Sequence, residues 1–516
     1  MSSDSKQFAA SIVALFILLG AALTPAHAQQ TRAAGSFYVA TNGNDANPGT
    51  MQNPFRTIQH AATKAKPGDT VNIEGGIYCQ RLTITKSGNA SEGYIAFRSQ
   101  PGEKAVLDGS CLTPAIGNSA MIAIHDASYI KVEGLEVRNY KTADRSRVPF
   151  GIRIYGHGSH IELLHNNVHH IEQTYPGRRG PGSGANGFGI AVYGTDTSPI
   201  TDLVIAGNEV HDLQTGSSES LVLNGNVSHF RVTGNRVHNN NNIGIDIIGF
   251  EHTAPNPEID RARDGVVSGN TVYDITSRGN PAYRQDADSD GIYVDGGTRV
   301  VIERNIVHNV DFGIETASEH YGHNSSHILV RNNLIYFCHT AGITIGGYGL
   351  KRGGTHDVTI VNNTLYQDDA WHTGTGEFQM QYHMRNNIFK NNIVYIGKSG
   401  RAQRSLSGRM DPATPTVTLD HNLYYYSGGP NAVKWSYDGK EYPSFQAYVK
   451  ATGQDGHSDF ADPKFVDPAK GDFHLKENSP ALGKGANLGS SVVGEKDLDG
   501  HPRTKDGKID IGCYEK

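Results

Sequence analysis

The sequence predicts an all-β protein, a parallel β-helix solenoid with a short helical cap at its N-terminal end. Two interleaved repeats and the spacing between their copies predict it. The first, Asn-x-(Val/Ile/Leu)-(His/Tyr), starts at Asn166, Asn208, Asn235, Asn270, Asn305, Asn333, Asn363 and Asn392. The second, Gly-apolar-x-apolar-x-Gly, starts at Gly151, Gly189, Gly244, Gly291 and Gly342, with looser copies at Ser220 and Gly313. Each copy is a period-2 strand bounded by Gly or Asn turns. A unit of roughly 30 residues with no helix in it cannot bury its own apolar side, so identical units must stack around a shared interior.

Composition agrees. Of 516 residues, 61 are Gly and only 21 Pro, which indicates many tight turns rather than collagen or linker, and 37% hydrophobic residues supply a core. A formal net charge of -6 leaves no basic excess to neutralise phosphates, so nucleic-acid binding is not expected.

From the N-terminus, an apolar run at residues 8–23 follows Lys6 and ends in Ala26-His27-Ala28. The pattern predicts a signal peptide over 1–28 and a secreted or periplasmic chain. No other segment is long and apolar enough to span a bilayer. Residues 57–66 are helix-compatible and end at Pro67-Gly68, which suits a cap. The β-helix is expected over 29–410, with 411–516 as a C-terminal segment packed on the last rungs. Export permits disulfides, and of the four cysteines Cys79 and Cys111 are the preferred pair because they are near in sequence.

In the Gly-led repeat the apolar positions face inward, so the second and fourth positions after the glycine face out. The second-position column reads Arg153, Ala191, Val222, Asp246, Tyr293, Glu315, Thr344. The fourth reads Tyr155, Tyr193, Asn224, Ile248, Asp295, Ala317, Gly346. Acids therefore recur on successive rungs at Asp246, Asp295 and Glu315, with Asp290 just before Gly291 and Glu319 after the Glu315 strand. Like charges one rung apart repel, which calls for a cation, a shared proton or a reaction to justify them. Long loops are expected to wall this face: 250–264, 319–326 and 348–356 at one end, 173–187 and 276–290 at the other. They carry Glu251, His252, His320, Lys351 and Arg352, and Tyr155, Tyr193, Tyr283, Tyr293 and Tyr348 are placed to stack on sugar rings.

Two other columns are read as structural. His169, His211, His238 and His308 alternate with Tyr273, Tyr336 and Tyr366, so a stacking ladder is expected rather than a metal site. The repeating asparagines are expected to bond amide to amide from rung to rung. Asp497, Asp499, Asp506 and Asp510 are read as turn residues, with calcium the alternative.

Residues 37–109 (FYVATNGNDANPGT, PFRTIQHAATKAKPGDTVNIEGGIY, PGEKAVLDGS) and the closing SPAL and DIGCYE resemble secreted right-handed parallel β-helix enzymes of the pectate-lyase-like superfamily. The resemblance implies a right-handed coil and a carbohydrate substrate, on a scaffold shared by lyases, hydrolases and epimerases. The run DGIYVDGGTRVVIERN followed by GIETASEH also resembles β-helical glycoside hydrolases of the β-xylosidase type, which place a catalytic carboxylate just after a Gly-led strand.

The first reading is therefore a glycoside hydrolase, with Asp290, Asp295, Glu319 and Glu315 catalytic and Asp246, Glu251, His252, Tyr293, His320, Lys351 and Arg352 binding substrate. A monomer without an organic cofactor is expected, calcium being the one ion allowed for. The alternatives are a polysaccharide lyase using the loop cations, and a non-catalytic carbohydrate-binding solenoid.

Overall fold

The computed structural model describes residues 34–177, 185–406 and 416–516. The signal peptide expected at 1–28 lies outside them. Among the described residues no helix is long and apolar enough to cross a membrane.

The chain winds as a right-handed parallel β-helix with three long sheets. We call them the back sheet (Ser36–Val39 to Val417–Asp420), the ladder sheet (Gly76–Tyr78 to Asp459–Phe460) and the groove sheet (Leu82–Ile84 to Gln403–Ser405). One coil visits all three: Arg263–Ser268 in the back sheet, Thr271–Ile275 in the ladder sheet, then Asp290–Asp295 in the groove sheet. Strands that follow one another in sequence are thus seldom hydrogen-bonded neighbours: among the described residues only the first two strands and two C-terminal hairpins pair in this way. Each strand of the coil pairs in parallel with its counterpart one coil away.

Inward positions keep register along the axis. Ile245 pairs with Ile292, Ile292 with Ile314 and Ile314 with Ile343, all fully buried in one continuous core. The glycine that opens each groove strand is a steric requirement of the corner. A Cβ on Gly291 would lie 2.5 Å from Val307 Cγ1 and 2.8 Å from the Gly313 carbonyl oxygen, closer than real contacts allow.

The asparagine column lines the turn between back and ladder sheets. Asn235 Nδ2 donates to Asn270 Oδ1 at 3.0 Å, Asn270 to Asn305 at 2.9 Å and Asn305 to Asn333 at 3.0 Å. Each amide oxygen also accepts a backbone N–H from the coil before, as Asn270 Oδ1 does from Asn235 at 2.9 Å. The ladder satisfies buried turn donors that no sheet reaches. On the outer face of the ladder sheet His169, His211, His238, Tyr273, His308 and Tyr336 stack in order, with ring centroids 4.6–5.1 Å apart. That spacing is set by the strand separation.

The N-terminal helix, Ile58–Lys64, starts at Thr57, whose side chain accepts from the His60 N–H, and it buries Ile58, Ala61 and Ala62. It packs on Ser36–Val39, Thr70–Ile73 and Leu82–Ile84. At the other end regular strands continue past residue 410, through Val417–Asp420 and Leu423–Tyr425. The asparagine ladder reaches Asn422, which departs from the sequence motif because Tyr424 fills the inward apolar position. Asp455 closes the ladder by accepting from Asn422 Nδ2 and from the hydroxyls of Tyr424 and Tyr448. Trp435, Phe445 and Tyr448 seal this end of the core. The last residues run back along the ladder sheet, where Phe465, Phe473, Leu475, Ile511 and Cys513 cover Leu334, Tyr366, Ile393 and Leu423. Cys79 and Cys111 form a disulfide, while Cys338 and Cys513 are free and buried.

Replacing Asn270 by Ala removes the acceptor of two donors of Asn235 and leaves the Val232 carbonyl without its Asn270 amide. At about 1–3 kcal/mol per buried unsatisfied group, the variant loses roughly 2–5 kcal/mol of stability. Urea denaturation followed by circular dichroism measures the loss.

Candidate active site on the groove sheet

The second-position column runs Arg153, Ala191, Val222, Asp246, Tyr293, Glu315 and Thr344 in unbroken parallel register. Asp295 pairs with Ala317 in the neighbouring column. Asp246, Asp295 and Glu315 therefore lie on adjacent coils of one sheet, outside the core, as the alternation predicts. They are not solvated. Asp246 is 2% exposed, Asp290 3%, Asp295 4% and Glu315 7%. The loops cover the strip, so the acids sit in a desolvated cleft.

Each wall has an internal anchor. Asp311, fully buried, accepts from the backbone N–H groups of Ser277 and Ser289 and from the Ser289 hydroxyl, and its other oxygen meets His339 Nδ1 at 2.8 Å. This clamps both ends of the 276–290 loop and sets where Asp290 enters the groove sheet. Asp260 accepts from the His252 and Ala254 N–H groups and shapes the loop that presents Glu251. Asp295 Oδ1 accepts the Glu319 N–H at 2.7 Å, so one acid of the strip positions the backbone of another. Arg352 Nη1 and the Tyr348 hydroxyl each lie 3.5 Å from Glu319 Oε2, with the guanidinium 4.6 Å from the centre of the Tyr348 ring.

Between the walls is a cavity of about 250 Å³ lined by Ile243, Tyr283, Asp288, Asp290, Tyr293, Phe312, Glu315, Glu319, Tyr348 and Gln381. Burial, then mutual repulsion, raises the acids around it. Asp246 is pushed well above the carboxylate range by burial and then by Glu219 and Asp295. Asp295 is raised by burial and then by Glu319. Asp290 is raised by burial and then by Glu315, with which it interacts carboxyl to carboxyl. Glu315 is raised to about 7 by burial, against the stabilising contact from Asp290. Glu319 is raised by burial, which the Arg352 charge opposes. Such a group of acids holds protons at neutral pH that isolated carboxyls do not.

Of the residues expected from sequence, Asp246, Asp290, Tyr293, Asp295, Glu315 and Glu319 converge. Glu251 acts on Asp246, Asp295 and Glu319 through its charge, and Asn224 Nδ2 donates to it at 2.7 Å. His320 and Arg352 adjoin Glu319. His252 and Lys351 are exposed on the loops, and among the described residues no hydrogen bond or ion pair ties their side chains to the acids. Sequence reasoning missed Glu219, whose carboxyl burial and then Glu251 raise to about 8. The signal was present: Glu219 precedes the looser repeat copy at Ser220 as Asp290 precedes Gly291. Leu221 pairs with Ile245 and Ile245 with Ile292, so the two acids hold equivalent places two coils apart. The C-terminal aspartates act mainly as turn acceptors: Asp497 takes the His501 and Glu515 N–H groups and Asp510 those of Gly483 and Lys516.

The fold and site define a right-handed parallel β-helix with an acidic cleft on one sheet. The family described as "Pel9A-like, right handed beta helix region" matches residues 37–177, and "Right handed beta helix region" matches 227–404. The chain is 38% identical over 444 residues to uncharacterized protein YwoF of Bacillus subtilis (strain 168), covering 86% of this chain and 91% of that one. It is 35% identical over 117 residues to pectate lyase PEL9 of Emericella nidulans, covering 20% and 28%. The crystal structure of pectate lyase Pel9A is similar with a TM-score of 0.49 at 15% identity, over 94% of this chain and 98% of that chain. The chain belongs to the right-handed β-helix family that includes YwoF.

Glu219 and Glu315 have folded values of about 8 and 7 against an ordinary 4.5. A raised carboxyl contributes stability that is full below its unfolded value and lost as pH rises through its folded value. Wild type should thus lose stability between about pH 5 and 8.5 relative to a Glu219→Gln/Glu315→Gln variant, in denaturation midpoints measured across that range.

Proposed function

We propose that the protein is a carbohydrate-active enzyme, a glycoside hydrolase whose reaction takes place in the acidic cleft of the groove sheet. The observation that carries this reading is the coexistence in one cleft of a proton-holding pair, Asp290 and Glu315, and a carboxylate facing a cation, Glu319 beside Arg352. Glycoside hydrolysis needs one carboxyl protonated and one ionised on opposite sides of the scissile bond. Asp290 and Glu315 interact carboxyl to carboxyl, and together they serve as one acid. Glu315 donates its proton to the glycosidic oxygen as the anomeric carbon–oxygen bond breaks. Glu319, which lines the same cavity, either takes a proton from the water that attacks the anomeric carbon or attacks that carbon itself, the resulting glycosyl ester then being hydrolysed by water. Tyr293, Tyr283 and Tyr348 offer ring faces to the sugar.

The strip extends beyond this cleft. Three rungs away, about 14 Å along the axis, Arg153 lies in the same column as Asp246. Its guanidinium is 4.2 Å from the centre of the Tyr155 ring and 5.1 Å from that of Phe150. It lines a second hollow with Gln80, Arg81, Asn118, Ser119 and Tyr155. No ion pair joins Arg153 to an acid among the described residues, and its Nε is buried without a partner. A substrate chain lying along the axis reaches from the cleft to this cation.

A second reading, β-elimination of a uronate polymer, is favoured by the pectate-lyase relative and by His320, whose buried Nε2 has no partner and is free to act as a base. The product separates the two: hydrolysis yields a saturated reducing end, elimination an ultraviolet-absorbing double bond.

On a panel of polysaccharides and aryl glycosides, wild type is expected to release saturated reducing ends. Glu315→Gln and Glu319→Gln are each expected to lower kcat by about 10²–10⁴ on the responsive substrate. Product absorbing in the ultraviolet, or wild-type rates in both variants, refutes the hydrolase assignment. Arg153→Ala is expected to raise KM several-fold on long oligosaccharides with kcat retained, and to leave short aryl glycosides unaffected, in steady-state kinetics on both.

A further inference from the structure

Away from the cleft, on the back sheet, three side chains from adjacent coils converge. His327 follows the strand Asn324–Ser326, His356 ends the strand Gly354–His356 and Asp357 comes next. The two strands pair in parallel, with Ser326 opposite His356. His327 and Asp357 both adopt left-handed backbone, φ 55° and 57°, and so occupy the same corner position one rung apart.

One imidazole nitrogen from each histidine and one oxygen of Asp357 lie within 4.8 Å of one another. His356 Nδ1 is 2.8 Å and His327 Nε2 3.9 Å from Asp357 Oδ2. Asn386 Nδ2 bonds the other oxygen, Oδ1, which orients the carboxylate and leaves Oδ2 toward the histidines. Carboxylates that bind metal are commonly oriented by such a hydrogen bond to the oxygen that does not meet the ion. The same corner shows the contrast. Three coils before Asp357, Asp264 is held by Nε and Nη2 of the Arg299 guanidinium. Among the described residues no lysine or arginine forms an ion pair with Asp357, whose ionic partners are the two imidazoles.

We propose that His327, His356 and Asp357 form a site for a zinc-class dication. Bonds of 2.0–2.2 Å to two nitrogens and one oxygen in tetrahedral array place the ligand atoms about 3.4 Å apart. To reach that size the 3.9 Å His327–Asp357 edge shortens by rotation of the exposed His327 ring, and the 2.8 Å His356–Asp357 edge widens as the ion replaces their hydrogen bond. Two imidazoles and one carboxylate select zinc or a neighbouring transition metal over calcium or magnesium, which prefer all-oxygen ligands. The ion joins the points where two cleft loops return to the coil: His327 closes the 319–326 loop and His356 the 348–356 loop. One carries Glu319, the other Tyr348 and Arg352. Bound metal therefore pins the base of that wall. The site stands on its own geometry and does not depend on which reaction the cleft performs.

A second cluster, Asp420, His421 and His457, also gathers at the last coil, so the test begins in a His421→Ala/His457→Ala background. Titration calorimetry with zinc chloride on the full-length protein is expected to show one equivalent bound there. Adding His327→Ala and His356→Ala should weaken binding at least tenfold, with unchanged circular dichroism. Hydrogen exchange in 319–326 and 348–356 should slow with zinc in the background protein and not in the further variant. Absence of binding at submillimolar zinc, or binding unaffected by the two further substitutions, overturns the site. Binding without slower exchange in the loops overturns the pinning.

Discussion

The constraint on which everything else depends is the one-rung repeat of parallel strands. Because each strand bonds only to its counterpart one coil away, every side chain meets the same position of the coil above and below. Like must therefore tolerate like. Ile and Val do so inside, where stacking buries them. Asparagine does so at the turn, because its amide is donor and acceptor at once and passes one hydrogen bond to the next rung. His and Tyr do so outside, where flat rings stack at the strand spacing.

Carboxylates do not tolerate it, and that is why the groove sheet stands out. Asp246, Asp295 and Glu315 occupy neighbouring rungs in a scaffold that holds them close, and Glu219 and Asp290 add acids at the strand entry. In open water the repulsion would be screened. Here loops anchored by Asp311 and Asp260 exclude solvent, so repulsion is relieved by retained protons and by Arg352. The scaffold thus turns a structural rule into a chemical property, a set of acids with proton affinities shifted toward neutrality. The interior core contributes rigidity: the acids rest on strands whose inward faces are fully packed, and their spacing cannot relax.

The fold was legible because its two signals are local and repeated. Gly291 is a glycine because Val307 and the next coil crowd its Cβ, and the same crowding recurs at each corner, so the motif recurs in sequence. The facing of Asp246, Tyr293 and Glu315 followed from period-2 alternation alone. The site was less legible. Glu219 precedes a strand that opens with Ser220 rather than Gly, which weakened the pattern that drew attention to Asp290. His252 and Lys351 sit on the expected loops, but loop paths depend on anchors such as Asp260, which alternation does not encode.

What the sequence by itself determined was register: which residues share a column and whether that column faces in or out, because both follow from a two-residue period and a fixed coil-to-coil pairing. What only the tertiary structure decided was environment. Whether an outward acid meets water or the underside of a loop depends on residues such as Asp311, tens of positions from some of the backbone it clamps, and burial is what makes a row of carboxyls hold protons.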